Sequence, residues 1–139
     1  MIELATDTTR TIASVLFSGT LARCPNIRFI FSHAGGTLPF LTQRVTGAAA
    51  ARKDVMPNGA IPELQKLYYD TAAAAHPYAL SSLMKLVPIS HVLFGTDFPF
   101  GTAENISKGL TAYGFGQGDR RAIDRENALR LFPRLNVRG

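Results

Sequence analysis

Two residues of this chain stand where a side chain can do chemistry, His33 and Asp97. Each follows an apolar run of strand type. Ile27 to Phe31, interrupted only by Arg28, ends in Ser32-His33-Ala34-Gly35-Gly36. Val92-Leu93-Phe94 ends in Gly95-Thr96-Asp97-Phe98-Pro99-Phe100. Strands buried on both faces of a parallel sheet read as short unbroken apolar runs. The glycines permit a sharp turn and a close backbone approach just past each strand. In parallel α/β architectures, reactive groups collect at that carboxyl edge. A histidine and an aspartate there form either an acid–base pair or part of a metal site. Each also has a plainer role: His33 as a hydrogen-bonded structural histidine, Asp97 as a turn residue bonding its own backbone. Ser32 and Thr96 are the neighbours placed to hydrogen-bond the pair.

The elements that must position this pair follow from periodicity. Residues 7–23 read as a helix with Asp7 or Thr8 at its start and Ile12, Val15, Leu16 and Leu21 on one face. A second helix is expected from Thr37 or Leu38, with Pro39 in its first turn. A loop follows at 54–62, then a helical turn at 63–66 and a strand at 67–71 containing Tyr68 and Tyr69. Pro77 opens a helix that Pro88 ends. A helix over 103–113 and a last one over 119–132 close the chain. Strands alternating with helices imply parallel βαβ units. Three parallel strands in sequential order are therefore expected, with His33 and Asp97 at one end of the sheet.

Other candidates carry less signal. His76 precedes Pro77 just past the second strand and could face a substrate; a surface loop position is the plainer reading. Asp70 is either a polar strand end facing the pocket or a partner to another site residue. Phe98 and Phe100 either wall a substrate pocket or pack in the core. His91 begins a strand at the opposite edge and has no expected role.

The chain has 139 residues, a net charge of +5, 46% hydrophobic and 18% charged residues. One folded domain over residues 1–139 suits those figures, and disorder does not. The basic residues are scattered, without the aromatic-interleaved stripe that grips nucleic acid. No apolar run is long enough to span a bilayer, and the amino terminus lacks a signal-peptide pattern. Cys24 is the single cysteine, which points to a free thiol in a reducing cytoplasm. Apolar strands left at sheet edges invite pairing, so a homo-oligomer is expected.

The two strand-end motifs, Phe31 to Phe40 and Leu93 to Phe100, resemble the amidohydrolase-related family. The nearest branch is that of aminocarboxymuconate-semialdehyde decarboxylase and related aromatic-acid decarboxylases. Asp7-Thr8-Thr9, Pro25 to Phe29, Tyr69-Asp70-Thr71 and Glu126 to Phe132 fall in the family's order as well. The resemblance implies a metal-dependent (β/α)₈ barrel, a TIM barrel. His33 would close strand six, Tyr68 to Thr71 would belong to strand seven, and Asp97 would close strand eight. It implies that Asp97 ligates a divalent metal, zinc or manganese, and that His33 moves a proton beside it. The family's His-x-His or Glu-x-His pair on strand one and its strand-five histidine have no counterpart here, so the metal would be incompletely ligated. The chain then reads as the carboxyl-terminal part of a barrel, a truncated or fragmentary frame with Met1 between strands five and six. The implied activity is non-oxidative decarboxylation of an aromatic or unsaturated carboxylic acid. Hydrolysis of a lactone or amide, and an inactive fragment or interaction module, are the alternatives.

Overall fold

The structure is a computed structural model and describes residues 2–136. Helix α1 spans Ile2–Phe17 and a short α2 spans Thr20–Arg23. Strand β1 is Ile30–Phe31, β2 is Tyr68–Asp70 and β3 is Val92–Leu93. Between them lie α3 (Leu38–Ala49), α4 (Ala60–Leu64) and α5 (Pro77–Leu86). After β3 come α6 (Ala103–Tyr113), α7 (Gln117–Arg121), a π-helical segment Ala122–Glu126 and α8 (Asn127–Leu131). The three strands form one parallel sheet in the order β1-β2-β3. Ile30 pairs with Tyr68 and Phe31 with Tyr69, while Tyr69 pairs with Val92 and Asp70 with Leu93.

Burial explains why these segments hold. Ile12 and Leu16 of α1, Leu38 of α3, Leu80 and Leu83 of α5 and Leu110 of α6 share one core with Tyr69 and Val92. Helical spacing puts the paired positions of each helix on one face. Tyr69 is fully enclosed, and its hydroxyl donates to the Leu64 carbonyl at 3.1 Å, which keeps the phenol satisfied inside an apolar core. Helices α3, α5 and α6 carry their own start signals. Pro39 and Pro77 sit in first turns, and the Thr102 hydroxyl accepts the Asn105 N–H at the head of α6.

Several expectations change, and the helix expected over 7–23 breaks at Ser18-Gly19, where Gly19 has φ 73°. Helix α1 begins at Ile2, five residues before Asp7. Thr6, Thr8 and Thr11 donate their hydroxyls back to carbonyls four residues earlier, so the helix runs through them, and Asp7 pairs with Arg10 at 3.2 Å. The first strand shrinks from 27–31 to two residues; Ile27, which precedes it, and Ile30, on the face opposite the buried Phe31, are exposed rather than buried. The last helix is one run from Gln117 with a π-helical segment inside it, which shifts its register so that Asn127 turns into the core.

Candidate active site

The sheet brings the ends of β1, β2 and β3 together, and each continues through a residue with a left-handed backbone. His33 has φ 57°, Ala73 φ 49° and Asp97 φ 62°. That conformation costs L-residues about 1–3 kcal/mol each and persists only where surroundings enforce it, a pattern concentrated at functional sites. The result is that His33 Nε2 lies 3.6 Å from Asp97 Oδ1. Both side chains are only partly exposed, at 24% and 33%. The two residues singled out by the strand-end pattern therefore meet at one edge of the sheet.

Asp97 does not spend its carboxylate on the local turn. Its backbone carbonyl accepts the N–H groups of Phe100 at 2.7 Å and Gly101 at 2.9 Å, closing the turn and leaving the carboxylate toward His33. Thr96 is a correction. Its hydroxyl accepts the Phe98 N–H at 3.2 Å and braces that turn; no hydrogen bond runs from it to His33 or Asp97. The other ring nitrogen of His33, Nδ1, is buried and has no hydrogen-bond partner among the described residues. Nε2 is the ring nitrogen that faces Asp97.

Asp70 resolves as a brace. Its Oδ1 accepts the backbone N–H of His33 at 2.8 Å and that of Ala72 at 3.0 Å. Burial holds its carboxyl above the usual carboxylate range, against the lowering effect of those two hydrogen bonds. Beside it, the Thr71 hydroxyl accepts the Gly95 N–H at 3.1 Å and lies 3.3 Å from the Gly95 carbonyl, tying β2 to β3 just past the ladder. Thr71 and Asn127 are structural keys that the sequence does not single out. Asn127 is enclosed and donates from Nδ2 to the carbonyls of Ile89 at 2.8 Å and Val92 at 2.7 Å, fastening α8 to β3.

His33 also borders a cleft of about 440 Å³ walled by Ala34, Pro39, Phe40, Ala74, His76 and Tyr78 among others. Asp97 does not line it, so the cleft adjoins the pair rather than containing it. His76 caps α5: its Nδ1 accepts the Ala79 N–H at 3.4 Å, which leaves Nε2 as its free ring nitrogen. Phe40 and Tyr78 are 84% and 88% exposed on this cleft. Phe98 stands 84% exposed at the Asp97 turn. His91 lies at the other end of β3, stacked on Tyr68 with ring centroids 4.6 Å apart.

For a metal ion, Asp97 offers one hard oxygen donor. Among the described residues no group of three or more His, Cys, Asp or Glu side chains comes together. Three or four protein ligands are the norm for a catalytic divalent ion. The described residues by themselves do not fit one.

The fold is a parallel α/β sheet with a His–Asp pair at its carboxyl edge. The chain belongs to the amidohydrolase family, whose profile matches residues 4–134. It is 35% identical over 145 residues to a 6-methylsalicylic acid decarboxylase of Penicillium expansum, covering 97% of this chain and 44% of that protein. It is 28% identical over 140 residues to a 2-amino-3-carboxymuconate-6-semialdehyde decarboxylase of Caenorhabditis elegans, covering 94% of this chain and 34% of that one. The crystal structure of a 5-carboxyvanillate decarboxylase from Novosphingobium aromaticivorans, complexed with manganese and 4-hydroxy-3-methoxy-5-nitrobenzoic acid, superimposes with a TM-score of 0.81. That match covers 93% of this chain and 39% of the other, at 14% identity, and shows a shared fold. The chain spans about two fifths of the length of the curated relatives it matches. No described helix is long and apolar enough to cross a membrane.

Proposed function

We propose that this chain supplies the proton-transfer group and one metal ligand of a non-oxidative decarboxylase acting on an aromatic carboxylic acid. The observation that carries this reading is the 3.6 Å approach of His33 Nε2 to Asp97 Oδ1 at the carboxyl edge of the parallel sheet. In the wider assignment β1, β2 and β3 are strands six, seven and eight of a (β/α)₈ barrel, and the remaining ligands come from outside these residues. Asp97 would contribute its carboxylate to a divalent ion, zinc or manganese, which supplies charge to hold and polarise the acid.

The chain's own residues carry the rest. A proton on His33 Nε2 is held in place by the Asp97 carboxylate. It passes to the ring carbon that bears the carboxylate. A carbon–hydrogen bond forms there, the bond to the carboxylate carbon breaks, its electron pair returns to the ring, and carbon dioxide leaves. Solvent then returns a proton to Nε2. A positioned acid–base group of this kind is worth about 10²–10⁴-fold in rate. The ring of the substrate fits the cleft beside His33, with Phe40 and Tyr78 as apolar walls and His76 Nε2 as a polar contact. Phe98 is a further apolar wall on the Asp97 side. The exposed Ile27, Ile30, Phe98 and Phe100 suit a homo-oligomer, and the lone Cys24 suits the cytoplasm.

Product analysis of the manganese-loaded decarboxylase that contains these residues and a full ligand set, with 6-methylsalicylate and related hydroxybenzoates, tests the reading. Released carbon dioxide with the matching phenol supports it. No carbon dioxide from these acids, with hydrolysis of an aromatic lactone or amide offered in parallel, would replace it with the hydrolase alternative.

A further inference from the structure

We infer that Asp70 is the positioning residue of this site, holding the His33 imidazole in register with Asp97. The inference rests on the proposed role of His33 and goes beyond it. Three observations converge on one carboxylate. Asp70 Oδ1 accepts the His33 N–H at 2.8 Å, so it grips the backbone of the very residue whose left-handed φ aims the imidazole. The same oxygen accepts the Ala72 N–H at 3.0 Å, which fixes the carboxylate to its own strand end. From the other side Gly95 presses on it: a Cβ on Gly95 would stand 2.8 Å from Asp70 Cγ and 2.9 Å from Oδ2. Only a glycine allows β3 to approach that closely, two residues before Asp97.

The carboxylate therefore sits between the two reacting residues' turns, bonded to one and in contact with the other. Asp70 is paired with Leu93 in the sheet, so the ladder itself brings it to this level. A half-buried carboxylate with a raised pKa is an unfavourable choice for simple packing, and an apolar side chain would suit packing better. Its two backbone donors at the site supply the reason for its presence. The geometry of the Oδ1 acceptor, bonded to the His33 and Ala72 N–H groups at once, is what holds the left-handed histidine.

The test uses this chain with ¹⁵N-labelled histidine and backbone. In Asp70→Ala the His33 amide should lose its downfield shift and exchange faster. The His33 imidazole nitrogen signals should move toward those of Asp97→Ala. Asp70→Asn, which keeps an Oδ1 acceptor, should restore both. In the working decarboxylase, Asp70→Ala should lower kcat by about 10²-fold, the order expected when a catalytic group is misplaced by about 1 Å, with KM little changed. An Asp70→Ala protein that is folded, with His33 amide and imidazole signals at their wild-type positions, would overturn the inference and leave Asp70 a structural residue. If Asp70→Ala does not fold, Gly95→Ala decides: its Cβ should displace the carboxylate and shift the same His33 signals, and unchanged signals there overturn the inference. Absence of decarboxylation in the wild type would instead sink the proposed function, while the imidazole signals would still report on Asp70.

Discussion

His33 and Asp97 face each other at 3.6 Å across the ends of two strands that are not neighbours in the sheet. β2 lies between them, and its Asp70 and Thr71 bind one turn each. The pair is therefore a product of the whole three-stranded unit and not of either motif alone.

His33 moves the proton in this account. His33→Gln in the working enzyme should cut turnover by roughly 10²–10⁴-fold. Metal content, read by atomic absorption, should hold near the wild-type value. Loss of metal together with activity would make His33 a ligand.

Asn127 fastens α8 to β3 from inside the core. Asn127→Ala leaves the Ile89 and Val92 carbonyls without that donor and removes the partner of the Arg130 guanidinium. Unfolding free energy should fall by about 1–3 kcal/mol, the cost of buried polar groups left unpaired. Urea denaturation measures it, and a change inside about 0.5 kcal/mol would mean water replaces the amide.

His91 gives a pH dependence with a defined sign. Burial, with the nearby Arg28 charge adding to it, lowers its pKa below the usual 6.5. The folded state thus binds fewer protons than the unfolded state as pH falls through that region, and stability falls with it. The contribution is present above pH 6.5 and is lost as pH drops through the lowered value. His91→Gln should flatten the difference between urea midpoints taken at about pH 7.5 and about pH 5. An unchanged slope would show that His91 does not set it.

Much of this was legible in sequence. His33 and Asp97 stood out because an apolar run, a glycine and a polar residue recur at both strand ends, and that pattern is local. The parallel order β1-β2-β3 followed from helices alternating with strands. Other features depend on contacts through space. Asp70 gained a role only when the ladder set it opposite Leu93 and under Gly95. Asn127 lies in a charged helix, and a π-helical register shift turns it inward. Ile27 and Ile30 read as core because their type is apolar, but Ile27 falls before β1 and Ile30 lies on the face of β1 opposite the buried Phe31. Thr96 offered a hydroxyl to the pair, yet it accepts the Phe98 N–H two residues on.

The metal account predicts a division of labour. This chain titrated calorimetrically with manganese or zinc should show weak binding or none, since Asp97 is its one assigned ligand. The manganese-loaded decarboxylase should lose its ion in Asp97→Ala. Tight one-to-one binding by this chain alone would mean that further ligands lie within it.

The most direct test of the central claim is solvent deuterium tracing with the manganese-loaded decarboxylase that contains these residues and a full ligand set, and a hydroxybenzoate substrate, in D₂O. The account predicts carbon dioxide in equal amount to phenolic product, with one deuterium at the carbon that lost the carboxylate, and loss of both signals together in His33→Gln. Turnover without carbon dioxide, or carbon dioxide release undiminished in His33→Gln, would contradict it.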